Sequence, residues 1–117
     1  MAFKTDIATD VTEWLLVVTS DCPACLGLDS ELEAMKHMAA CRKSRLRPLV
    51  IRIDSSTASI HEVLTRHGLE VAGVAEGQAF ASLHLRAAPT LMRLDPGGRV
   101  GFVTYPGSET WPPAPGC

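Results

Sequence analysis

The sequence predicts an α/β fold, a mixed central sheet flanked by helices. Three observations predict it. The run EWLLVVTS (13–20) has the length and β-branched, aromatic character of a strand buried on both faces. A long amphipathic helical pattern follows it, and then a second β-branched run, PLVIRID (48–54); a strand–helix–strand unit makes a parallel pair with a right-handed crossover. Near the end, PTLMRLDPGGRVGFVTY (89–105) reads as a β-hairpin, with strands at roughly 90–94 and 99–104 about an Asp-Pro-Gly-Gly turn. Its antiparallel strands make the sheet mixed.

The elements follow in order. Residues 1–12 are weakly patterned. After the first strand, the apolar positions Cys25, Leu28, Leu32, Met35 and Ala39 recur at intervals of three and four, one core-facing stripe of a helix from Pro23 to about Arg42. Pro23 suits the first helical position, where its missing N–H costs nothing. CRKSRLRP places cations at the helix's negative end and a proline to stop it. SSTASIHEVLTRHG (55–68) predicts a second helix, with Ser59 and Glu62 as a capping box, Ile60, Val63 and Leu64 as its apolar face, and Gly68 at its C-terminal stop. Residues 69–86 are ambiguous: LEVAGV suits loop or short strand, and EGQAFASLHL a further turn or two of helix. The tail PGSETWPPAPGC (106–117) is too rich in proline for a regular helix.

The bulk numbers exclude several classes. At 117 residues the chain is one domain's worth, with a core expected at about 14–107. A net charge of −2 offers no electrostatic footprint for nucleic acid or anionic membrane. The longest apolar run, Trp14 to Val18, is far too short to span a bilayer. No secretory leader is visible, which reads as cytoplasmic as written; a periplasmic protein relieved of its leader would look the same. Four cysteines are too few for a disulfide-stapled scaffold, so the close pair Cys22 and Cys25 reads as a device.

A reversible dithiol needs two sulfurs that can meet and one that is a thiolate near neutral pH. Cys-x-x-Cys in the first turn of a helix supplies both. Cys22 would sit among unpaired N–H groups that favour negative charge, and such settings bring a free thiol's pKa from near 8.5 down to roughly 3.5–7.5. Cys25, one turn in on the core stripe, would be the sheltered thiol that resolves a mixed disulfide. Pro23 stiffens the turn and Ala24 adds no charge. Asp21, directly before Cys22, opposes thiolate formation. A second signal is AAPT (87–90): a proline opening a strand can follow a cis bond, and its bend would leave the backbone at Ala88 free to pair with a substrate strand.

Other readings compete. Cys22, Cys25, His37 and Cys41 spell a superficial zinc string, C-x2-C-x11-H-x3-C. On one continuous helix, however, Cys25 and His37 would lie about 18 Å apart along the axis, too far for one ion. His37, His61, His67 and His84 are scattered and read as surface or helix-end residues. Cys41 reads as packing beside Met38, and Cys117 as a tail residue able to pair between chains under oxidation. Arg42, Lys43, Arg45 and Arg47 read as a helix terminus that could steer an acidic partner. A redox-inactive adaptor holding an extended peptide beside Pro89 is a third class, although it has no need of two thiols.

CPAC after a strand, VIRID, HLRAAPT and a hairpin with Gly near its turn together resemble the thioredoxin superfamily over about residues 14–107. The resemblance implies a thiol-disulfide oxidoreductase without cofactor or metal. Cys22 would be its nucleophile, Cys25 its resolving cysteine, and Pro89 a cis-proline facing them. Ala88, Pro89 and Thr90 would line the substrate, with Pro23, Ala24 and Asp21 in support. It further implies a protein thiol or disulfide as substrate and a separate redox donor or acceptor. The Cys-Pro-x-Cys form is similar to glutaredoxins and disulfide-forming proteins, and YPG (105–107) with Trp111 is similar to periplasmic thioredoxin-like reductases. The chain departs from the pattern in four places. Asp21 replaces the Trp before the first Cys, and Leu16 and about Val50 replace the buried Asp and Lys that handle protons. The final helix is apparently missing, and a sheet face left uncovered would favour a homodimer.

Overall fold

The computed structural model describes residues 12–20, 22–53, 57–76, 88–111 and 113. Five strands form one sheet in the order β3-β2-β1-β4-β5, with β1 Glu13–Thr19, β2 Arg45–Arg52, β3 Gly73–Glu76, β4 Thr90–Asp95 and β5 Arg99–Thr104. Strands β1, β2 and β3 are parallel, while β4 runs antiparallel to β1 and β5 to β4. The sheet is mixed, as the sequence predicts. The ambiguous stretch LEVAGV contributes its last two residues to the edge strand β3, which pairs Val50 with Val74. Residues 77–87 and 114–117, with Asp21, lie outside the described residues.

β1 is central and buried at every position, which is why its sequence is apolar without alternation from Trp14 to Val18. The chain steps from β1 to β2 to β3 in one direction across the sheet. Two right-handed crossovers in the same direction put their helices on the same face. One core therefore unites Trp14, Leu16 and Val18 of β1 with Leu32, Met35 and Met38 and with Ile60, Val63 and Leu64 of the crossover helices. The opposite face gathers Leu15, Val17, Leu49, Ile51, Met92 and Leu94, none more than 5% exposed. That face is already buried within the single chain, so the uncovered sheet that would have favoured a dimer is not found there. Among the described residues no helix follows β5, and none is long and apolar enough to cross a membrane.

The long helix expected from Pro23 to about Arg42 is two: α1 Pro23–Leu26 and α2 Asp29–Cys41, broken at Gly27 and Leu28. The break turns Leu28 into the core, where it is 3% exposed, and lets Leu32, Met35 and Met38 keep facing the sheet. β2 begins at Arg45, before the proline taken as its start, because Pro48 pairs with Leu16 through the parallel ladder. The third helix, α3 Ala58–Arg66, has Thr57 at its N-cap and no side-chain cap hydrogen bond, so Ser59 and Glu62 are not a capping box. Burial of Ile60 starts the helix earlier than the capping pattern indicates. Its end is as expected. Gly68, at φ +71°, donates to Thr65 O (2.9 Å), and Leu69 N donates to Leu64 O (3.0 Å), the paired bonds of a Schellman stop.

Candidate active site

The site is built at the C-terminal end of β1. Ser20 ties that end to β2: its N–H donates to Ile51 O (3.0 Å), and its Oγ accepts from Ile53 N (2.9 Å). Parallel pairing ends here, and a short hydroxyl side chain replaces the next ladder bonds. Sequence reasoning missed Ser20. The signal was present in a small hydroxyl residue between a buried strand and a helix start.

Cys22 is the N-cap of α1, in extended backbone at φ −98° and ψ 106°, with Pro23 at the helix start. Its Sγ accepts a hydrogen bond from Cys25 N at 3.0 Å. α1 is a single turn, so this amide, rather than a long helix dipole, is what presents positive charge to the sulfur. Cys22 and Cys25 are joined as a disulfide, with Cα atoms 5.2 Å apart. Cys22 is 8% exposed and Cys25 fully buried, an asymmetry between an approachable and a sheltered sulfur.

The Ala88–Pro89 peptide is cis, and Ala88 O lies 3.4 Å from Cys22 Sγ. Thr90 opens β4, 2% exposed and paired with Val17 of β1, so the central strand carries the dithiol and anchors the segment facing it. The structure thus brings Ala88, Pro89 and Thr90 to the Cys pair across sixty-six residues of sequence. Pro23 and Ala24 lie in α1, and Asp21 lies outside the described residues.

The surroundings of Cys25 are apolar. Leu16 and Val50, at the positions where a proton-handling pair was sought, are fully buried in the same core as Cys25, with Leu28, Leu32 and Leu91. Charge gathers one helix further on. His67, the C-cap of α3, places Nε2 at 2.6 Å from Asp29 Oδ1 and Nδ1 at 2.5 Å from Glu33 Oε2. Lys36 Nζ donates to His67 O (2.7 Å), and Arg66 Nη1 lies 3.5 Å from Asp29 Oδ1. The hydrogen bonds that His67 donates to Asp29 and then to Glu33 raise the imidazole's pKa, and the same bonds lower those of both carboxyls. His67 was expected at a helix end; its two carboxylate partners were not.

The zinc string is not assembled. Cys22 and Cys25 are spent on each other in the core, while His37 is exposed on α2 with Nε2 3.6 Å from Cys41 Sγ. Cys41, read as a packing residue, is itself a half-cystine. No group of three or more His, Cys, Asp or Glu among the described residues could hold a metal ion.

No protein-family model matches the chain, and no curated protein matches it. Solved structures do. One is a secreted disulfide oxidoreductase of Mycobacterium tuberculosis homologous to E. coli DsbE, at 17% identity, covering 84% of this chain and 72% of that one with a TM-score of 0.55. Another is the N-terminal domain of PilB from Neisseria gonorrhoeae, at 17% identity, covering 82% and 68% with a TM-score of 0.59. A third is the thioredoxin domain of a thiol-disulfide oxidoreductase from Bacteroides vulgatus, at 10% identity, covering 83% and 71% with a TM-score of 0.59. Identities this low speak to architecture alone, and the architecture of this chain is the thioredoxin-like fold.

Proposed function

We propose that the protein is a thiol-disulfide oxidoreductase acting on protein disulfides through Cys22 and Cys25. One observation carries the reading: Cys22 Sγ sits at a helix start, accepts the Cys25 N–H and lies against the Ala88 carbonyl, while its partner sulfur is sealed in the core. The amide stabilises a Cys22 thiolate when the pair is reduced. That thiolate attacks one sulfur of a substrate disulfide, forming a mixed disulfide and expelling the other substrate sulfur as a thiolate, which takes up a proton. Cys25, having lost its proton, attacks Cys22 Sγ. The Cys22–Cys25 bond forms, the second substrate thiol leaves, and two electrons have passed to the substrate. Run backwards, the same steps oxidise a dithiol. Ala88, positioned by Pro89 and Thr90, offers backbone groups along which an extended substrate aligns beside Cys22.

An extracytoplasmic setting suits a chain of this kind, since one structural neighbour is a secreted disulfide oxidoreductase. A non-redox adaptor has no use for two sulfurs bonded to each other, and no observation favours it. The test is mass-resolved alkylation in thiol/disulfide buffers combined with two variants. The wild type is expected to show one two-electron transition. Cys22→Ser abolishes turnover, and Cys25→Ser accumulates mixed disulfides on Cys22. Full turnover by the Cys22 variant would overturn the mechanism.

A further inference from the structure

The carboxylate–imidazole cluster beside the dithiol helix has a geometry that only one protonation state satisfies. Both ring nitrogens of His67 face carboxylate oxygens, Nε2 toward Asp29 and Nδ1 toward Glu33. A neutral imidazole has one N–H and one lone pair, so it would turn a lone pair on one of those anions. The imidazolium, with two N–H groups, donates to both. The other charged groups at the site are Lys36 of α2, bonded to His67 O, and Arg66 of α3, beside Asp29. Lys36, 3.4 Å from Glu33 Oε2, and Arg66 already balance the two carboxylates in charge, so it is the pairing of both ring nitrogens with carboxylate oxygens that calls for the imidazolium.

The position of this cluster connects it to the chemistry. Asp29 is the first residue of α2, separated from α1 only by Gly27 and Leu28, and α3 packs against α1. The clasp therefore pins α3 to the start of the helix that continues from the Cys22–Cys25 turn. We propose that the His67 imidazolium is a positioning residue for the dithiol, holding the α1–α2 junction so that the two sulfurs meet, and that loss of its proton loosens this hold. The proposal rests on the dithiol reading. Holding two thiols in register raises the effective concentration of one toward the other, so the protonated clasp favours the intramolecular disulfide.

The experiment measures the oxidised fraction of Cys22–Cys25 in glutathione buffers at about pH 6 and about pH 9, on wild type, His67→Gln and His67→Arg. Because the clasp groups are partly solvated, the wild type is expected to form the disulfide about two- to fivefold more favourably than His67→Gln at the lower pH. The two should coincide at the higher pH. His67→Arg keeps a charge at both and should retain the low-pH advantage at the higher one. A merely structural histidine would shift stability without this pH-dependent split in the disulfide equilibrium. A two-electron transition with the same pH dependence in all three proteins overturns the proposal and leaves the dithiol reading intact. No transition in any of them overturns both.

Discussion

Ser20 makes the residue-scale case. Its hydroxyl accepts from Ile53 N at 2.9 Å, donates to Ile53 O at 3.4 Å, and is 8% exposed. Replacing it with Ala leaves the half-buried Ile53 N–H without its acceptor near the end of β2, a loss of about 1 kcal/mol. Urea unfolding of oxidised Ser20→Ala should show that loss, with the denaturant slope unchanged. A cost below a few tenths of a kcal/mol would mean that water replaces the hydroxyl. The close Cys pair and the proline that faces it were legible in the sequence because their pattern is local: Cys22 and Cys25 share one helical turn, and Pro89 opens a strand. Ser20 was not, because its role depends on where β1 and β2 stop pairing, and that register is decided by residues thirty positions away.

At the scale of elements, the α2–α3 clasp makes stability depend on pH, with a sign that follows from its partners. His67 has its pKa raised from 6.5 by its bonds to Asp29 and Glu33. Its contribution is fully present below 6.5 and is lost as pH rises through the raised value. Asp29 and Glu33 have theirs lowered from 3.8 and 4.5 by the same bonds. Their contribution is fully present above those values and is lost as pH falls through the lowered ones. The cluster thus contributes most between 4.5 and 6.5. Urea midpoints measured across this range should form a plateau there, with an alkaline decline that disappears in His67→Gln. An unchanged alkaline limb in that variant would place the titration elsewhere. The sequence showed helices, their apolar stripes and the Gly68 stop, all features of short-range pattern. It did not show the break at Gly27, since a stripe at intervals of three and four fits one helix as well as two. Nor did it show the clasp, whose members are thirty-four and thirty-eight residues apart.

At the scale of the molecule, the topology explains why the dithiol lies where it does. The central strand ends at Ser20, the crossover begins at Cys22, and β4 returns antiparallel on the other side, so that its first residues meet the same end of β1. Fold class and strand order were within reach of the sequence because each run of β-branched residues marks a strand and each crossover has one hand. The edge strand β3 was not, since four residues carry too little pattern. This arrangement also links folding to redox state. Cys22 and Cys25 are three positions apart, and closing so short a loop lowers the entropy of the unfolded chain by only about 2 kcal/mol at 25 °C. Against that stands the gain proposed for the reduced form: the Cys25 N–H, which meets Cys22 Sγ in the disulfide form, would bond a Cys22 thiolate, an interaction the unfolded chain lacks. The oxidised protein should therefore exceed the reduced one in stability by less than about 2 kcal/mol near neutral pH. The gap should widen as pH falls and the thiolate takes up its proton. Paired urea titrations of both redox forms at about pH 7 and about pH 5 decide it. A gap that stays constant would mean that Cys22 is a thiol at both, and the amide at the start of α1 would then not be what activates it.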